Sequence, residues 1–391
     1  MWARYQMSTS ISPHSLRDKH LFSSGPKRIL SLDGGGVRGA ITIAFLERLE
    51  GVVEEIEGKP TLLGDWFDLI GGTSTGSIIA CALALGYKAS EIHKLYVELG
   101  PVVFRKRFWR IAGLRATFDK KNLIAELRKF IGDRTLESDD LRTGLCIVTK
   151  RLDSGSAWVL TNNPRSKYWN SPDDNSFIGN RHYPLINLIR ASAAAPHFFD
   201  PEMIEIAHGE PPGLFIDGAL TPHNNPALQL LMLAALPQYG LSWKTSAKEL
   251  TIVSIGTGSF RPTVRAEELR WIGGLGLAIK ALAAQIAESQ QLVATMMNWL
   301  GDSPTIWPIN SELGDLRDAM FPGGKMFRYL RYDVLLEQKW LKENLDIELD
   351  RRTLARYRRI DVPSNIPAIY EFGAAAAKNQ MRRDDLLAGV D

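Results

Sequence analysis

One pentapeptide, Gly72-Thr-Ser-Thr-Gly76, constrains this chain more than any other feature. It follows the short apolar run Phe67-Asp-Leu-Ile70 and precedes the small-residue stretch SIIACALAL at 77–85. A run of that kind reads as a buried strand, and the stretch after it as a helix. A serine in G-x-S-x-G at a strand-to-helix turn has the form of a nucleophile elbow. Gly72 and Gly76 let the backbone turn sharply, and the dipole of the following helix favours negative charge near Ser74. With 33 glycines in the chain the pentapeptide also arises by chance, so the flanking elements carry the argument.

A second glycine-rich turn has the same setting. Residues 28–32 read as a strand, and Asp33-Gly-Gly-Gly-Val-Arg-Gly39 follows at once. Ile41, Phe45, Leu49, Val52, Val53 and Ile56 then recur at spacings of three and four, which is helical. Gly34, Gly36 and Gly39 satisfy G-x-G-x-x-G, a dinucleotide fingerprint that wants an acidic residue about 20 positions on, at the end of the next strand. Glu54 has the spacing but lies inside the helical run. One open alternative is therefore a nucleotide-binding module that uses loop 34–39 and has no hydrolase activity. On either reading, unhindered backbone N–H groups at a helix N-terminus attract negative charge, a phosphate or a transient oxyanion.

A serine nucleophile needs a base. Asp217-Gly-Ala219 follows the apolar run 214–216, which puts Asp217 at the C-terminal end of a strand, where sites of open α/β sheets gather. Gly218 leaves room beside it. His223 lies six residues on, so a Ser74–Asp217–His223 triad and a Ser74–Asp217 dyad both stand, although such close spacing is unusual for a triad.

Elsewhere, strands are expected at 145–149, 157–160 and 250–255, and helices at 90–99 (with Ser90 as N-cap), 119–131 and 184–194. The alternation predicts an α/β class with a mostly parallel, covered sheet. Beyond Arg261 the pattern turns chiefly helical, with strands near Thr305 and Phe327. The stretch 271–301 is broken by Lys280 and Glu288, short of the roughly 20 apolar residues a bilayer span needs, and reads as a long buried helix.

Composition narrows the partners. Lys+Arg 47 against Asp+Glu 44 leaves +3, too near balance to argue for nucleic acid. Two cysteines, Cys81 and Cys146, exclude a disulfide scaffold, and no Cys-x-x-Cys or His-Glu-x-x-His pattern offers a metal site. The first twenty residues lack the apolar stretch of a signal peptide, which points to a cytoplasmic protein. Residues 103–118, VFRKRFWRIAGLRATF, interleave five cations with aromatics, a pattern that suits either an anionic membrane surface or a solvated helix. Arg351, Arg352, Arg356, Arg358 and Arg359, beside Asp350 and Asp361, read as an ion-paired helix surface.

Three motifs in order, D-G-G-G-x-R-G, G-T-S-T-G and D-G-A, resemble those of the patatin-like phospholipase family of lipid acyl hydrolases. The block ASAAAPHFF at 191–199 and Ile255-Gly-Thr-Gly258 add to the resemblance, which covers residues 28–229 and continues patchily to Gly258. It implies a three-layer α/β/α fold with a mostly parallel central sheet: a polar arm (1–24), a catalytic domain (25–261) and a largely helical C-terminal region (262–391) suited to regulation. It implies Ser74 as nucleophile and Asp217 as base, without an essential histidine. It implies an oxyanion hole at Gly34, Gly35 and Gly36 with help from Arg38, elbow glycines Gly72 and Gly76, and a supporting Gly218. No metal or organic cofactor is implied. The substrate would be a phospholipid met peripherally at the inner face of a membrane. Some bacterial relatives act in antiphage defence under a nucleotide signal, so a small nucleotide activator is a further expectation.

Overall fold

Runs of Ile, Leu and Val with little polar alternation, such as KRILSL and LTIVSI, are what strands covered on both faces require. The computed structural model describes residues 15–103, 120–263, 273–305, 307–316, 318–319 and 321–387. Its strands are β1 (Lys27–Leu32), β2 (Leu69–Thr73), β3 (Gly144–Arg151), β4 (Ala157–Thr161), β5 (Glu202–Ile204), β6 (Gly213–Asp217), β7 (Leu250–Ile255) and β8 (Arg328–Tyr332). They form one sheet of order β5-β6-β3-β2-β1-β7-β8, with β4 also on β3. Pairings β3–β2, β2–β1, β1–β7 and β7–β8 are parallel, while β4 and β6 join β3, and β5 joins β6, antiparallel. The sheet is mostly parallel, with an antiparallel flank.

The helices are α1 (Leu16–Phe22), α2 (Gly39–Glu57), α3 (Leu63–Trp66), α4 (Thr75–Ala84), α5 (Ala89–Val103), α6 (Lys120–Ile131), α7 (Leu185–Ser192) and α8 (Ala227–Ala235). In the C-terminal part follow α9 (Gly274–Leu300), α10 (Gln338–Leu345), α11 (Arg351–Tyr357), α12 (Ile366–Gln380) and α13 (Arg383–Leu387). Side chains of a strand alternate between faces, and here the alternation sorts the core in two. Leu30, Leu32, Ile70, Ile147 and Leu330 share one cluster with Phe45 of α2, Ile79 of α4 and Ile369 of α12. Ile29, Leu69, Val148 and Tyr329 share the other with Leu230 of α8 and Met297 of α9. The result is three layers, α/β/α.

The elements around both glycine turns lie where their patterns put them, with differences that have physical causes. Strand β2 starts at Leu69 rather than Phe67 and runs through Thr73 into the elbow. Helix α5 starts at Ala89, so Ser90 is not its cap. The Glu91 carboxylate accepts the N–H of Lys88 at 2.8 Å and that of Glu50 accepts the N–H of Ala89 at 3.1 Å, which satisfies the first turn without a serine. The expected long helix exists as α9 but is not buried along its length. Among its described side chains the first buried one is Val293. Leu277, Ile279, Leu282 and Leu292 are exposed. Among the described residues no helix is long and apolar enough to cross a membrane. The basic aromatic stretch at 103–118 lies, after Val103, outside the described residues.

Candidate active site

The turn from β2 into α4 is built by close approach. A Cβ at Gly72 would sit 2.1 Å from the carbonyl oxygen of Gly76, and one at Gly76 would sit 2.3 Å from that of Leu32. No side chain fits at either position. The unusual dihedrals fall on the serine itself: Ser74 has φ 53° and ψ −122°. A non-glycine residue held there costs on the order of 1–3 kcal/mol and persists only when its surroundings over-determine it. They do so here. The Ser74 N–H donates to Ser192 Oγ at 2.8 Å, Ser192 Oγ donates to the Val148 carbonyl at 2.6 Å, and Ser77 Oγ donates to the Ser74 carbonyl at 2.6 Å.

Ser74 Oγ donates to Asp217 Oδ2 at 2.8 Å. Asp217 ends β6, and its other oxygen accepts the N–H of Ala219 at 2.8 Å. Only 3% of Asp217 is exposed. Burial pushes its pKa up to about 6, against the lowering pull of the Ala219 N–H, the Ser74 hydroxyl and the buried Arg190 guanidinium. A carboxylate raised toward neutrality is a better proton acceptor than an ordinary aspartate. Gly218 lies so close to Val148 that a Cβ would fall 2.3 Å from its carbonyl oxygen.

His223 does not complete a triad. Its ring makes no hydrogen bond to Ser74 or Asp217, its Nδ1 is buried without a partner, and burial lowers its pKa. The residue contributes its backbone instead, the carbonyl accepting from Thr73 Oγ1 at 2.6 Å.

The loop 34–39 presses on the nucleophile: a Cβ at Gly34 would lie 3.2 Å from Ser74 Cβ. Its backbone donors divide into two groups. Gly34 N–H is committed to the Asn224 carbonyl at 3.0 Å, Val37 N–H to the Ile360 carbonyl at 3.0 Å, and Arg38 N–H to the Gly35 carbonyl at 3.2 Å. The N–H groups of Gly35 and Gly36 have no acceptor among the described residues. Gly36 adopts φ 57°, and a Cβ there would meet the Ile360 carbonyl oxygen at 2.3 Å. The Arg38 guanidinium donates to the Gly258 carbonyl at 2.8 Å and lies over the Phe260 ring. Glu54 lies in the last turn of α2, not at a strand end, so it is not placed as the acidic partner of a dinucleotide fingerprint.

Sequence reasoning missed Ser192 and Ile360. The first sits in the ASAAAPHFF block, so a signal for it was on the page. The second acts through its backbone, which no side-chain pattern reports. Cys81 and Cys146 are both fully buried, and burial pushes the Cys81 thiol up to about 12, far from thiolate chemistry. A cavity of about 680 Å³ lies at the opposite, N-terminal end of the strands, away from Ser74. Lys27, Arg165, Lys244 and Lys248 line it together with Phe22 and Trp243, and the Arg165 guanidinium stacks 3.8 Å from the Phe22 ring centroid.

The family model for patatin-like phospholipase matches residues 30–231. The cUMP-AMP-activated phospholipase of Escherichia coli is 30% identical over 301 residues, covering 77% of this chain and 86% of that protein. The cGAMP-activated phospholipase of Vibrio cholerae serotype O1 is 28% identical over 293 residues, 69% of this chain and 76% of that one. Patatin-2-Kuras 2 of Solanum tuberosum is 27% identical over 270 residues, 62% and 66% of the two chains. The matched segment runs from β1 through both glycine turns and Asp217 into α8, and the chain belongs to the patatin-like phospholipase family, carboxylic ester hydrolases that act on lipid acyl groups.

Proposed function

We propose that the protein cleaves fatty-acyl esters of membrane phospholipids through a Ser74–Asp217 dyad. The observation that carries this reading is the 2.8 Å hydrogen bond from Ser74 Oγ to Asp217 Oδ2, beside two glycine N–H groups that lack an acceptor among the described residues. Asp217 takes the hydroxyl proton as Ser74 Oγ attacks the ester carbonyl. The tetrahedral oxyanion is met by the N–H groups of Gly35 and Gly36, each such donor lowering the barrier by roughly 3–4 kcal/mol. Collapse breaks the ester bond, and Asp217 returns the proton to the departing alcohol oxygen. A water, giving its proton to the same carboxylate, then cleaves the acyl-enzyme, releasing the fatty acid and regenerating Ser74.

Gly34 and Arg38 support this hole rather than line it, because the N–H of the first and the guanidinium of the second are bonded elsewhere. Incubation with phospholipid vesicles tests the reading. Fatty acid should appear with wild type, and neither product nor covalent fluorophosphonate labelling with Ser74→Ala. Full activity in folded Ser74→Ala or Asp217→Ala overturns it.

A small cyclic nucleotide as activator is part of the proposal, because two relatives bear that property in their names. The cavity holding Arg165, Lys244 and Lys248 has the cations and aromatic planes that a phosphate-bearing base would use. Titration with cUMP-AMP and cGAMP, followed by Trp243 fluorescence, should show saturable binding that Lys244→Glu with Lys248→Glu abolishes. Binding unchanged in that variant removes this cavity from consideration.

A further inference from the structure

The donors of the oxyanion loop have a fixed direction only if the loop is held at both ends, and neither glycine has a side chain to hold it. At the entry, Asp33 is 1% exposed and both of its carboxylate oxygens are occupied. Arg331, next to the last residue of β8, donates from Nη1 to Asp33 Oδ1 at 3.0 Å and from Nη2 to Asp33 Oδ2 at 2.7 Å, a two-pronged pair. The same guanidinium donates to Asp333 Oδ2 at 2.8 Å and to Ser254 Oγ at 2.8 Å. Asp333 in turn accepts the N–H groups of Gly258 and Val334, each at 2.8 Å, and the Ser259 hydroxyl. Gln290 of α9 adds a longer contact to Asp33 Oδ2 at 3.3 Å. One residue on, the Gly34 carbonyl accepts from Thr257 Oγ1 at 2.9 Å. At the exit, Val37 N–H donates to Ile360.

This arrangement is poor at stabilising a fold in general. Three charges have been taken out of water, and a buried ion cluster typically gains little over well-packed apolar side chains. What it supplies is geometry: a planar guanidinium with several donors fixes two carboxylates, and through them the start of the glycine loop and the loop after β7. Arg331 also lies outside the segment matched by the family model.

We infer that Arg331 is a positioning residue for the reaction: through Asp33 it aims the Gly35 and Gly36 N–H groups at the oxyanion of the acyl-transfer transition state. This rests on the reading of those two groups as the oxyanion hole. Arg331 is bonded to Asp33, Ser254 and Asp333, so its effect on the reaction passes through the loop it holds.

Arg331→Lys tests it, since a single ammonium keeps the charge and loses the fork. Asp33→Asn, which keeps the shape and removes one charge, serves if the lysine variant does not fold. The readouts are kcat and KM on a soluble acyl ester, the rate of Ser74 labelling by a fluorophosphonate, and the pH profile, all per folded molecule. The expected result is a kcat about 10²-fold lower with KM within about twofold and a parallel loss of labelling rate. In Asp33→Asn, which removes the other carboxyl that burial pushes up to about 6, the acid limb set by Asp217 stays in place. A folded Arg331→Lys or Asp33→Asn variant with wild-type kcat overturns the inference while leaving the dyad standing. Loss in proportion to unfolded protein, with normal kcat per folded molecule, also overturns it. Full activity of Ser74→Ala would instead overturn the reading beneath it.

Discussion

The backbone N–H of Ser74 donates to the hydroxyl of Ser192, which in turn donates a hydrogen bond to the Val148 carbonyl. That relay ties the strained elbow to the end of α7 and to β3. Replacing Ser192 by alanine strands a buried N–H, at a cost of about 1–3 kcal/mol, and releases the residue whose dihedrals most need support. Ser192→Ala is expected to lower the melting temperature and to lower kcat at least about tenfold with little change in KM. Thermal melts and steady-state kinetics on one preparation check both.

In the proposed dyad Asp217 must be ionised to accept the serine proton, and burial pushes its pKa up to about 6. Hydrolysis should therefore rise with pH, with an acid limb centred near 6 instead of the usual aspartate range. A profile of kcat/KM from pH 4 to 9 reads this limb. A limb near 4 would place the base elsewhere.

The same shift has a sign for stability. The folded state holds the Asp217 proton more tightly than the unfolded chain, so the contribution is present below pH about 4 and is lost as pH rises through about 6. Above that, the buried carboxylate costs on the order of 3 kcal/mol, from about two pKa units at 1.36 kcal/mol each. Asp217→Asn should be inactive, yet more stable than wild type at pH 8, with the difference shrinking toward pH 4. Urea denaturation at the two pH values measures it.

His223→Ala separates dyad from triad. With its ring unbonded to either partner, the variant should keep kcat within about threefold, whereas a triad histidine lost by mutation costs on the order of 10⁶-fold.

The two glycine turns were legible as strand-to-helix turns because their logic is local. A strand, a glycine turn and a helix lie within some ten residues around Ser74 and again around Gly35, and the apolar periodicity of α2 marks its face directly. Asp217 was legible as the end of a short apolar run followed by Gly218. The supports were not. Arg331 reaches Asp33 only because β8 lies next to β7 and β7 next to β1, a strand order that no periodicity encodes. Ile360 acts through a carbonyl, and every residue has one. The exposed half of α9 shows the other limit: an apolar composition states what a helix would gain by being covered, not what its neighbours cover. Ser90 was misplaced because two carboxylates, one from a different helix, cap α5 in its stead.

Asp33 and Arg331 stand 298 residues apart, and a ribosome makes the chain from one end. Ser74 and Asp217 both precede β8 in the chain, so a growing chain carries the proposed nucleophile and base ahead of the strand proposed to hold the oxyanion loop. On the role proposed for Arg331, a chain that lacks β8 holds Ser74 and Asp217 but not the guanidinium that fixes Asp33.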